Sequence, residues 1–138
     1  MNKLLISVIT LILFTFSSQA AEKETVVLRE WDNNKNVEYL EYPKDNNMDN
    51  LWSYTVKSVY GELQEKEYKG GYNISIGKYL MNCSEKLFIL QKTYLFNNDE
   101  LVSYKKYDEA YYDKDPGFGW KKLGADKTQD KIAEIFCK

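Results

Sequence analysis

The stretch that most constrains the fold runs from Lys78 to Asp108. Lys78-Tyr-Leu-Met-Asn-Cys83 runs on through Leu87–Phe96, the polar tetrad Asn97–Glu100 follows, and Leu101–Tyr107 returns. Apolar and aromatic runs on either side of a turn-forming tetrad predict a β-hairpin. Alternation places Leu87, Ile89 and Leu95 on one face and Phe88, Leu90, Tyr94 and Phe96 on the other. Such a strand is apolar on both sides and needs covering. Cys83 points to the cover, because the one other cysteine, Cys137, ends a short helical pattern.

In that pattern Ile132, Ile135 and Phe136 fall at helical spacing between Thr128 and Cys137. Asp126 with Gln129 three residues later resembles a capping box. Upstream, Thr25–Trp31 and Val37–Tyr42 read as a hairpin about the turn Asp32–Asn36, stopped by Pro43. Leu51–Tyr60 reads as a third strand, with Trp52, Tyr54 and Val56 on one face and Thr55, Lys57 and Val59 on the other. Residues 61–71 read as an exposed connection, and Tyr72–Ile76 as a short edge-like piece. The expected fold is α+β: a single antiparallel sheet of about five or six strands, with a C-terminal helix packed on one face and tied by one disulfide.

Residues 1–20 have the form of a cleavable signal peptide: Lys3, an apolar run from Leu4 to Phe16, and small residues up to a cleavage site after Ala20. Its removal takes one of the 19 basic residues and none of the 21 acidic ones, leaving a net charge of −3. One domain, residues 21–138, remains, and an exported chain belongs to the periplasm, the cell surface or the medium. In an oxidising compartment a Cys83–Cys137 disulfide is the simplest reading, the alternatives being free thiols or pairing between chains. No cysteine lies near the cleavage site, so no lipid anchor is expected. The spread acidity argues against nucleic acid and anionic membranes as partners.

The chain has no histidine, which removes the commonest nucleophile–base pairs and most catalytic zinc sites. Asp45, Asn47 and Asp49 match the first ligand positions of a calcium loop, but Asn50 stands where glycine is needed and Val56 where a glutamate is needed. Asp99-Glu100 and Asp108-Glu109 lie beside turns with lysines near, where solvated charge is the expected role. No catalytic residue, metal or cofactor is expected, and the chain reads as a non-enzyme. Its 12 tyrosines exceed what a small core can bury. Tyr39, Tyr54, Tyr94 and Tyr104 suit strands with one wet face, whereas Tyr111, Tyr112 and Phe118, in a breaker-rich loop, are the ligand-binding candidates. Trp120 is expected to anchor the helix.

Trp120-Lys-Lys-Leu-Gly124, the helix and the terminal Ile135-Phe-Cys137, with Cys83 heading a strand-turn-strand and Trp52 in a strand before it, resemble the surface-adhesin protein E family of small exported bacterial proteins. The resemblance spans roughly Val27–Cys137. It implies an antiparallel sheet with a C-terminal helix and a module that binds host extracellular-matrix proteins. Lacking a lipid anchor, a soluble periplasmic accessory protein is the alternative. The expected partner is therefore a host or envelope protein.

Overall fold

The computed structural model describes residues 22–46, 48–108 and 119–138. Six strands follow one another as an antiparallel meander: β1 (Lys23–Trp31), β2 (Asn36–Pro43), β3 (Leu51–Gln64), β4 (Tyr72–Asn82), β5 (Leu87–Asn97) and β6 (Glu100–Lys106). A two-residue β7 (Lys121–Lys122) pairs with the start of β5, and α1 (Lys127–Phe136) closes the chain. Among the described residues the architecture is thus mostly β, with one ten-residue helix.

The turns form where the sequence supplies residues that tolerate a left-handed backbone. Asp32, Asn33 and Asn34 take positive φ between β1 and β2, and Asn98 does so between β5 and β6. The β5–β6 hairpin lies where its tetrad predicts. Two expectations are corrected. Lys78–Phe96 is not one strand, because the chain reverses at Cys83–Lys86, where the Glu85 N–H donates to Asn82 Oδ1 at 3.1 Å and Lys86 takes φ 55°. Tyr72–Ile76 is the start of the central strand β4, and β3 runs on to Gln64, well into the expected connection.

One face of the sheet and the inner side of α1 enclose the core. Leu28, Leu40, Tyr54, Val56, Met81 and Phe88 meet Ile132 and Phe136 there. The helix buries Gln129, Ile132 and Phe136, an i, i+3, i+7 stripe. Phe136 stacks on Trp52 at 4.3 Å and meets Tyr42 and Tyr54 edge-on. Asp126 caps the helix by accepting from the Gln129 N–H at 3.0 Å. Only half of the expected capping box forms, because the Gln129 side chain instead accepts from the buried Tyr54 hydroxyl. Trp120 is 47 % exposed, so it is no anchor; its neighbours before Gly119 lie outside the described residues, and Trp52 fills the anchoring role.

Cys83 and Cys137 are bonded, with Sγ–Sγ 2.05 Å. The bond ties the end of α1 to the β4–β5 turn rather than to mid-strand. Among the described residues no helix is long and apolar enough to cross a membrane. The expected signal peptide lies outside the described residues.

Candidate functional site

The face of the sheet turned away from α1 is built by register. Residues opposite one another on paired strands share a face, and side chains alternate along each strand. β-Bulges at Leu28, Gln91 and Val102 each shift that alternation by one residue. The second bulge corrects the expected grouping: Leu95 sides with Phe88 and Leu90 toward the helix, while Tyr94 and Phe96 side with Leu87 and Ile89.

Three rows cross all six strands of the outer face, and a shorter one, Ser53–Leu80–Ile89, lies beyond the third. The first reads Glu30–Val37–Val59–Ile74–Phe96–Leu101 and is aliphatic and aromatic after its acidic end. The second reads Val27–Tyr39–Lys57–Ile76–Tyr94–Tyr104. The third reads Thr25–Glu41–Thr55–Lys78–Lys92–Lys106. Successive rows lie ~7 Å apart, since on β2 to β5 each is two residues further along the strand. Val27, Leu101 and Tyr104 are about half exposed, at 48 %, 50 % and 48 %. Among the described residues α1 is the only helix laid on the sheet, and its buried residues Gln129, Ile132 and Phe136 pack on the other face.

Lys78, Lys92 and Lys106 stand directly opposite one another on three adjacent strands. Among the described residues the ion pairs are Arg29–Glu38 and Lys44–Glu22, so none of these lysines is paired. Lys78 Nζ sits 5.8 Å from the centre of the Tyr94 ring, and Tyr94 packs against Tyr104 at 5.0 Å.

Two larger concavities lie elsewhere. A cleft of about 580 Å³ on the helix side of the sheet is lined by Glu38, Ser58, Ser75, Tyr79, Thr93 and Tyr107, among others. Its buried carboxylate is fully engaged: Glu38 accepts from Arg29 at 3.2 and 3.5 Å, from Ser58 at 3.2 Å and from Thr128 at 3.4 Å. Those donors match the four sites a carboxylate offers, so Glu38 ties β1, β2, β3 and α1 together and is not poised as a base. Burial, reinforced by the charge of Asp126, pushes the Tyr79 phenol up to about 12, and burial pushes Tyr54 further in the same direction. A second depression, of about 570 Å³, lies beside the disulfide between Trp52, Lys86 and Glu134. Among the described residues no group of three or more His, Cys, Asp or Glu side chains is gathered to hold a metal ion.

The expected binding residues Tyr111, Tyr112 and Phe118 lie outside the described residues. The described chain leaves and rejoins on the helix side, where Tyr107 lines the cleft and Gly119 lies beside Tyr79 and Leu90. Sequence reasoning sets Tyr39, Tyr94 and Tyr104 aside as ordinary strand residues and passes over the lysines. Their spacing alone gives no signal: continued from the turns, the pairing would set Lys78 opposite Gln91 and Lys92 opposite Lys105, and only the extra residues Gln91 and Val102 bring the three lysines into line. No protein-family model, curated protein or solved structure matches the chain.

Proposed function

We propose that this chain is an exported, non-enzymatic binding module that offers the outer face of its sheet to a protein partner. One observation carries the reading: the row Val37–Val59–Ile74–Phe96–Leu101 crosses five strands with no described element laid over it. An apolar surface this continuous on a small domain is the usual mark of an interaction site. The resemblance to the surface-adhesin protein E family supplies the partner class, host extracellular-matrix protein.

The test is binding of the mature chain to an immobilised panel of extracellular-matrix proteins, against a variant with Ile74→Ser and Phe96→Ser. Both side chains are half-buried on the outer face, so the variant should stay folded and lose binding. Capture by no matrix protein, or equal capture of the variant, would sink the reading. An envelope protein on the same face gives the accessory reading instead. Protease added outside intact cells separates the two, since an adhesin is cut and a periplasmic protein is spared.

A further inference from the structure

The lysine row gives that face a chemical preference. Like charges directly opposite on neighbouring strands destabilise a sheet, and three stand in line at steps of ~4.8 Å. Composition does not force this arrangement. The chain is net acidic, with 21 Asp and Glu against 19 Lys and Arg, yet these three neighbouring positions are all lysine. With Lys57 included, the three rows hold four lysines and the two glutamates Glu30 and Glu41.

From this juxtaposition, and resting on the reading of the outer face as an interface, we infer that the partner contributes an amphipathic acidic polypeptide segment. Its apolar stripe lies on the Val37–Leu101 row and the tyrosines, and a flank of carboxylates meets Lys78, Lys92 and Lys106. The dimensions agree. The apolar and lysine rows are ~14 Å apart, four residues along a strand, and a helix with its side chains is ~10–12 Å across. Lysine stems close the difference by leaning inward over apolar surface. A bare polyanion such as a sulfated polysaccharide would satisfy the lysines and leave Val37, Val59, Ile74 and Leu101 wet. An anionic membrane would have to take Glu30 and Glu41 in the same plane and accept a net-acidic protein.

The test uses the mature chain and fluorescence polarisation at low and physiological salt. The probe is an 18-residue synthetic peptide with leucines on one helical stripe and glutamates along one flank; its twin carries lysines for the glutamates. The glutamate peptide should bind and the lysine twin should not. Lys78→Glu, Lys92→Glu and Lys106→Glu together should weaken binding at least tenfold, and Lys66→Glu, in the β3–β4 turn, should leave it unchanged. Lys92→Glu alone should weaken binding while raising the melting temperature, because it turns two repulsions into attractions; that pairing keeps misfolding from mimicking the result. The inference is overturned if the glutamate peptide fails to bind, if the two peptides bind alike, or if the triple variant binds as the parent does. It is equally overturned if heparin or phosphatidylglycerol vesicles bind through the same lysines more tightly than the peptide. Should the triple variant keep full matrix-protein binding while Ile74→Ser with Phe96→Ser abolishes it, this inference fails and the interface reading stands.

Discussion

Replacing both cysteines with alanine should cost the fold about 4 kcal/mol, and the structure shows where that figure comes from. The bond closes a loop with a sequence separation of 54 residues, so on the chain-entropy account its absence returns about 4 kcal/mol of disorder to the unfolded chain. The native side has little to lose from the substitution. Cys83 and Cys137 sit at the rim of the core, while Ile132 and Phe136 hold the helix against the sheet from within. Net stability of domains this size is about 5–15 kcal/mol, so the variant should still fold, with a melting temperature lower by roughly 15 °C. Equilibrium urea unfolding, followed by tryptophan fluorescence, should show the midpoint falling and the slope rising slightly, because the uncrosslinked chain expands further. A loss below about 1 kcal/mol would refute the reasoning. So would an oxidised parent protein that takes up two alkylating groups without reduction.

Ile132 has no exposed surface, and Ile132→Ala should destabilise by about 2–5 kcal/mol in the same assay, whereas the half-buried Ile135→Ala should cost far less. Alkaline titration should expose the buried phenols. Tyr79 has its folded pKa raised from 10.0 to about 12, so its contribution is fully present below pH 10 and is lost as pH rises from 10 to 12. The loss should be roughly 3 kcal/mol, and Tyr79→Phe should flatten that part of a urea-midpoint profile between pH 8 and 12. A profile unchanged by Tyr79→Phe would mean that this phenol does not govern the alkaline limit.

Local chemistry made much of this fold legible in the sequence. The Asn/Asp turns, Pro43, the Asp126 cap and the alternation of Trp52, Tyr54 and Val56 against Thr55, Lys57 and Val59 each act over a few residues, and each reappears in the structure. What escaped depends on pairing at a distance. Ser84-Glu85-Lys86 is a polar step inside an apolar run, and only Asn82 accepting from Glu85 makes it a reversal. The bulge at Gln91 swaps the faces of everything after it, and no residue near it announces an extra position. Gln129 matches the capping box by spacing, yet its side chain is used by Tyr54, 75 residues away in sequence. Trp120 fails as an anchor because the stacking partner of Phe136 is Trp52, brought there by strand register.

The same dependence on register explains why the candidate surface is hard to read from a sequence that has all its residues in view. A strand apolar on both sides reads as needing cover on both. The structure buries the helix-side half of that apolarity, Phe88 and Leu95 being 6 % and 3 % exposed, and on the outer face it buries Ile89 alone, at 6 %. On the other side Tyr94 and Phe96 stay partly open in line with Tyr39, Val59 and Ile74, and a small sheet gains nothing in solubility by keeping such a row wet. Nor does it gain stability by aligning three lysines beside the row, when one substitution at Lys92 would relieve two repulsions at once. An apolar row that lowers solubility, beside lysines whose alignment costs stability, is better explained by what it meets than by what it holds together.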